Sequence, residues 1–334
     1  MKKQLPPLLL HHDHLTRNLW GWESWEFSVH PKCPSFVKIE GRKYFLNQLP
    51  PVLKKELFGT VRNFFLVKII DSKKPLSVQV HPDQSYARRY EKQNGKTESW
   101  YILKARPGKK WGGLFMGFHS DPKNKKEFFN LIANANNQGV IHQEKKRDEW
   151  ARKILKHSSH VFPKSGDVYH LNPGSLHAIG AGMRLVEIQQ SSDITYRLWD
   201  WNRSAHFPVN EKPKLRELHL EKGKAVLATS QRFVSDFRLE GITKEPFEKI
   251  YFESPKAGYG FSEVVLDRSK MVNLNKKGQF SVLTVIAGDL KISWGEKKSL
   301  VVPSFQSVLI PACLKQCQLQ PGKRSVKLIR SFPA

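Results

Sequence analysis

Four side chains at three places in the chain have the types and spacing to hold a divalent cation. In SVQVHP (77–82), Gln79 and His81 are two residues apart. On a strand they project from one face while Val78 and Val80 take the other. In GKTESWY (95–101), Glu98 and Trp100 share one face, and Thr97 and Ser99 share the opposite one. A buried carboxylate is costly unless a cation or a metal lies beside it. The 16 residues of 82–97 are long enough to bring Glu98 next to His81. In GDVYHLNPGSLH (166–177), a Gly-Asp turn opens a short strand and Asn-Pro-Gly makes a second turn that presents His177. One neutral oxygen, two imidazoles and one carboxylate suit a divalent ion such as zinc, with a position left for water or substrate. Other groupings are weaker. His11, His12, Asp13 and His14 are adjacent on a terminus and converge poorly. Cys313 and Cys317 have no second pair to complete a zinc ribbon.

These residues need strands to aim them. Weak alternation over Trp25–Val29, β-rich Phe36–Ile39, the apolar run Phe64–Ile70, Ser77–His81, and Trp100–Leu103 after an Asn-Gly turn at 94–95 all read as strand. From about 121 to 157 the period changes to that of helices, with EFFNLIANA followed by a basic segment whose apolar positions are Trp150, Ile154 and Leu155. Strand character returns at Asp167–Leu171 and Met183–Gln189. A third helical piece is expected over 214–229, and strands and turns over 256–334. Strand-rich blocks with even turn spacing predict a mainly β protein of two barrels or sandwiches with a helical insertion. The expected units are an N-terminal barrel over 1–120 and 161–208, the insertion over 121–160, a connecting helix and loop over 209–255, and a C-terminal barrel over 256–334. The second barrel shows no ligand pattern around 280–312, so it is expected to shape or cover the site and to bind no metal.

Composition narrows the function classes. The 334 residues include 56 Lys plus Arg against 30 Asp plus Glu, a formal charge of +26. The basic residues are spread along the chain and, over 144–157, interleaved with acids as on a solvated helix face. An anionic substrate is therefore a milder inference than nucleic acid, which is unlikely as the main partner. Nine Trp and 20 Phe argue against disorder, and three cysteines fit a reducing compartment rather than a disulfide scaffold. The N-terminal apolar run is too short and proline-rich for a signal-peptide core, and no stretch approaches a membrane span. The expected setting is soluble and cytoplasmic, with a monomer slightly favoured.

The spacing Gly-x5-x-Pro-Gly-x2-His at 166–177 resembles the second motif of the cupin superfamily. SVQVHP, GKTESWY, HAIG after PGSL, and VEIQQSSDITYRLWDWNR together closely resemble the type I mannose-6-phosphate isomerases, also called phosphomannose isomerases. The similarity runs from WGWESWE at 20–26 through RELHLEK at 216–222 and, more loosely, into FSVLTVIAGD and VLIPA, and is closest to the shorter bacterial form. The resemblance implies two cupin-type (jelly-roll) barrels and an aldose–ketose isomerase acting on a sugar phosphate with one zinc per chain. Gln79, His81, Glu98 and His177 match its metal ligands. Arg197, Glu187, Asp193 and Lys96 match catalytic positions, and Ser77, Lys96 and Arg197 positions near the substrate.

The chemistry is consistent with these types. Moving a carbonyl between C1 and C2 requires ring opening, removal of a proton beside the carbonyl and a cis-enediol or enediolate. A metal can polarise the carbonyl, a guanidinium can stabilise oxyanion charge, and a carboxylate must move the proton. Glu187 and Asp193 are both available for the last role, and a histidine or lysine is not excluded. Isomerisation of another hexose phosphate or of a free sugar, and a non-catalytic metal- or sugar-binding cupin, stay open as alternatives.

Overall fold

The computed structural model describes residues 4–12, 15–119, 124–204, 215–230, 233–268, 270–272 and 278–334. Asp13 and His14 of the early histidine cluster lie outside the described residues.

Two antiparallel sheets form the N-terminal barrel. Among the described residues one runs, in spatial order, Val168–Leu171, Glu98–Ala105, Met183–Gln190, Phe65–Ser72, Gly21–Phe27 and Leu15–Asn18. The other runs Ser159–Val161, Leu114–Met116, His177–Ile179, Val78–Val80 and Tyr196–Trp199. Between them lie Ile70, Trp100, Ile102 and Leu185 from the first sheet and Leu114, Met116 and Ile179 from the second, all buried.

Period-2 alternation explains the two-sided burial. Val78, Val80 and Leu198 face outward, joined by Trp199 where the register shifts after Arg197, and are covered by Phe128, Ile132, Ile154 and their neighbours, which come from the helices Lys125–Ala135 and Glu144–Leu155. Gln79 and His81 are thereby turned inward. The outer face of the six-stranded sheet, with Phe27, Phe65, Val67, Tyr101 and Val186, packs against Tyr259, Phe261, Phe280, Val282 and Ile329 of the C-terminal unit. Phe280 sits 5.4 Å from Phe27 and 5.6 Å from Phe65 by ring centroids. Burying such a ring contributes roughly 2–3 kcal/mol. The two barrels thus share one apolar wall.

The C-terminal unit is also two-layered, and its seven-stranded sheet is assembled from both ends of the chain. Leu8–Leu9 pairs with Ser307–Ile310 at one edge, and Glu248–Ser254 and Ile242–Glu245 close the other. Beyond the stretch 256–334 expected from the sequence, pairing recruits Leu8–Leu9, Ile242–Glu245 and Glu248–Ser254.

Two other expectations are corrected. The loop over 82–97 contains a helix, Gln84–Tyr90, capped by Asp83, whose side chain accepts a hydrogen bond from the Tyr86 N–H at 2.7 Å. No hairpin turn forms at Asn94-Gly95. Gly95 is needed because a Cβ there would lie 2.5 Å from the Gln84 nitrogen. Among the described residues of 214–229, Leu220–Val226 alone is helical. The preceding residues are drawn out by tertiary bonds, since the Glu217 carbonyl accepts from Arg197 and the His219 N–H donates to the Arg197 carbonyl.

Candidate active site

Strand register builds the site. His177 lies opposite Gln79 on one side, and Arg197 lies opposite Gln79 on the other, so three facing strands present these side chains together. The Asn-Pro-Gly turn aims His177. Gly174 has φ +81°, and a Cβ there would meet the Val226 carbonyl at 2.6 Å. Glu98 comes from the opposite sheet, where Glu187 stands between Lys68 and Trp100 in one cross-strand row.

The predicted ligands converge. His177 Nε2 is 3.3 Å from Glu98 Oε1, and His81 Nε2 is 3.5 Å from Glu98 Oε2. The Gln79 amide lies 3.2 Å from His177 Nε2 and 3.5 Å from His81 Nε2. Ligands at about 2.1 Å from a tetrahedral ion stand about 3.4 Å from one another, so these spacings fit such an ion. All three of His81, Glu98 and His177 are buried. Both carboxylate oxygens of Glu98 are shut off from solvent.

The imidazole tautomers also suit a metal. His81 Nδ1–H donates to the Ile194 carbonyl at 2.8 Å and His177 Nδ1–H to the Ser175 carbonyl at 2.9 Å. Each Nε2 is therefore left with its lone pair aimed inward. Burial pushes His81 down to about 3 and also lowers His177, so both rings are neutral. Gln79 Oε1 accepts from Ser77 Oγ at 2.9 Å. To offer that oxygen to an ion the amide must turn over, leaving Ser77 Oγ able to accept from its nitrogen. The group can hold a metal ion.

Lys96 departs from what its place in the sequence suggests. A lysine beside Asn-Gly would ordinarily be solvated, yet Lys96 is buried, 2.8 Å from Glu98 Oε2, 3.2 Å from His81 Nε2 and 4.0 Å from Glu187. Burial disfavours its charge, but Glu98 and Glu187 outweigh that and raise its pKa. Glu98 moves the opposite way: burial resists ionisation, while the Lys96 ammonium above all holds the carboxyl well below its ordinary range.

Glu187 is buried and its Oε2 accepts from Trp100 Nε1 at 3.1 Å. Its Oε1 has no hydrogen-bond partner among the described residues and lies 3.7 Å from Lys68 Nζ. Burial raises its carboxyl above the usual range, with Lys96 opposing. Arg197 donates to the Glu217 carbonyl at 2.9 Å and keeps a buried Nε without a partner among the described residues. Arg197 makes no ion pair with Asp193, which binds Lys32 at 2.5 Å near the mouth. Asp200 is taken up by Arg203 and Arg216.

A cavity of about 270 Å³ opens beside the donor set and is reached by Gln79 of the four proposed ligands; among the described residues five cationic side chains and three carboxylates line it. Ser77, Gln79, Lys96, Glu187, Asp193 and Arg197 all reach it. Three lining cations were missed from sequence. Lys68 left one signal, a lone charge in the apolar run Phe64–Ile70; it is buried 4.6 Å from the Trp25 ring. Arg216 opens the segment RELHLEK at 216–222 without a role read from it, Lys32 lies outside the quoted motifs, and only folding brings either to the cavity.

A family model for the catalytic domain of type I phosphomannose isomerase matches residues 15–104. The mannose-6-phosphate isomerase ManA of Bacillus subtilis is 30% identical over 283 residues, covering 82% of this chain and 78% of that protein. The chain belongs to the mannose-6-phosphate isomerase family. Within the family, the enzyme of Streptococcus mutans is 33% identical over 208 residues, a match spanning 61% of this chain and 57% of the relative's own length. Two solved mannose-6-phosphate isomerases share the fold. That of B. subtilis has a TM-score of 0.77 at 23% identity, covering 97% of this chain and 99% of its own. That of Salmonella typhimurium has a TM-score of 0.71 at 15% identity, covering 98% and 99%. The two-barrel cupin architecture of this family is therefore the fold of the chain, and in this family member the metal-compatible donors belong to the N-terminal barrel.

Proposed function

We propose that the chain is a zinc-dependent aldose–ketose isomerase that interconverts mannose 6-phosphate and fructose 6-phosphate through a cis-enediol(ate), with one ion per chain, in the cytoplasm. The observation that carries this reading is the buried donor set His81, Glu98 and His177, joined through Gln79 and Lys96 to a cationic cavity lined by Glu187 and Arg197.

In this reading Gln79, His81, Glu98 and His177 hold the ion, which supplies Lewis-acid polarisation of the carbonyl oxygen. Glu187 takes the proton from C2. The C2–H bond breaks, an O–H bond forms on the carboxylate, the C–H pair becomes the C1–C2 double bond and the C1 carbonyl pair moves onto O1. The hydroxyl proton on O2 passes to O1, the O2 pair forms the C2 carbonyl, and the C1–C2 double-bond pair takes the proton back from the carboxyl at C1. Glu187 is favoured over Asp193 because it is buried with a raised pKa, whereas Asp193 is engaged with Lys32 at the mouth. Arg197 offers its unpartnered Nε to developing oxyanion charge without changing protonation state. Asp193 holds the mouth in place. Lys96 and Ser77 hold substrate oxygens, and the excess of cations lining the cavity favours the phosphate.

The test is a coupled assay of purified protein with mannose 6-phosphate, before and after chelation and after zinc is restored. Fructose 6-phosphate formed only by the metal-loaded protein is the expected result. Tightly bound zinc without turnover would refute the substrate assignment.

A further inference from the structure

We infer that Trp100 is a positioning residue that selects Glu187 Oε1 as the oxygen that takes and returns the substrate proton, an inference that rests on the isomerase reading above. Trp100 makes two contacts that no other described residue combines. Its indole Nε1–H donates to Glu187 Oε2 at 3.1 Å, and its ring meets the His177 ring edge-on at 5.5 Å. It is fully buried and lies opposite Glu187 in the sheet register, so its orientation is set by the strands.

The consequence for Glu187 is an asymmetry between its two oxygens. Oε2 is fixed by the neutral indole donor, and an oxygen that accepts an N–H is a weaker base. Oε1 accepts no hydrogen bond among the described residues and stands within 4.0 Å of Lys96 and 3.7 Å of Lys68, both of which line the cavity. A carboxylate must present one oxygen within hydrogen-bond reach of both C1 and C2 in turn, and free rotation would spend part of its time misaligned. The indole removes that freedom. The same ring packs on a proposed metal ligand, so the proton-transfer oxygen and the ion share one rigid support.

Replacing the indole by a ring without the N–H separates this role from packing. For Trp100→Phe we expect kcat to fall about tenfold, with KM within about twofold, metal stoichiometry unchanged, and a larger rate difference between C2-protiated and C2-deuterated mannose 6-phosphate. A benzothienylalanine at position 100 keeps the indole's shape and removes only the donor, and should reproduce the same kcat loss even where the smaller phenyl ring disturbs the core. Full activity in the benzothienyl protein would overturn the inference, as would loss of metal in either variant, which would assign Trp100 to His177 instead. A wild-type protein that fails to convert mannose 6-phosphate would sink the isomerase reading itself, before any variant is compared.

Discussion

The two barrels share an architecture and an apolar wall, yet they treat buried charge differently. Between its sheets the N-terminal barrel buries Lys68, Lys96, Glu98 and Glu187, with His81 and His177. The corresponding space in the C-terminal barrel holds Leu283, Val285, Leu290, Ile292, Val308, Leu319, Leu328 and similar side chains. Its buried charge, Arg330, pairs with Glu248 at 2.8 Å, and its other buried polar groups are hydroxyls such as Ser262, Ser281, Thr284 and Ser307. A jelly-roll interior can therefore be filled either way. The apolar version is self-sufficient. The charged version carries desolvation costs that partners must offset, and burial without full pairing is what makes such groups chemically useful.

Removing a ligand separates the barrels most sharply. His81→Ala or Glu98→Ala should abolish metal binding and lower kcat/KM on the order of a thousandfold, read by metal analysis of the purified variant alongside the coupled assay. The near-ultraviolet signature of the Phe280 wall should persist, since no donor touches it. Arg197→Ala should cost about a hundredfold in kcat with metal content unchanged. If Arg197→Ala instead sheds the ion, the division between ligands and charge-stabilising groups drawn above is wrong.

This division was largely legible in the sequence because it is written in short-range periodicity. Gln79 and His81 are two apart on one strand, and the Asn-Pro-Gly turn sits three residues before His177. Alternation alone assigns their faces. What was not legible depends on register between distant strands. The row Lys68, Glu187 and Trp100 joins residues up to 119 positions apart, and nothing local in any one strand indicates the other two. The same holds for Leu8–Leu9, whose place at the edge of the far sheet is set by pairing with Val308 and Leu309. Residues 215–219 look helical in isolation, and tertiary hydrogen bonds to Arg197 override that preference.

The C-terminal barrel predicts the converse result. Among the described residues Arg330→Leu leaves Glu248 with Ser262 alone as a side-chain partner, 2.6 Å away, in a partly exposed position. The expected loss is on the order of 2–3 kcal/mol of stability, a fall in Tm of about 5 °C. Metal content and kcat of the folded variant should stay at wild-type levels. A marked drop in kcat at a temperature where the variant is folded would mean that the apolar barrel does more than support its neighbour.

The junction between the barrels gives a smaller, pH-dependent effect. His170 bonds Ser99 Oγ at 2.9 Å, and that hydroxyl is 3.0 Å from Tyr259 of the C-terminal unit. Its ring stacks on Phe252 at 4.1 Å. Burial pushes its pKa down from 6.5 to about 4, with Asn172 and Glu98 opposing. Between these values the unfolded chain binds the proton and the folded one does not. Stability is therefore complete above about pH 6.5 and is lost as pH falls towards 4, at about 1.4 kcal/mol per unit. His170→Gln, which keeps a polar partner for Ser99 but does not titrate, should be less stable at pH 7.5 and show a flatter decline between pH 6.5 and 4 in denaturant titrations. An unchanged slope would place the acid sensitivity elsewhere, and His81 and His177 of the N-terminal barrel, which burial also holds below their ordinary value, would be the groups to test.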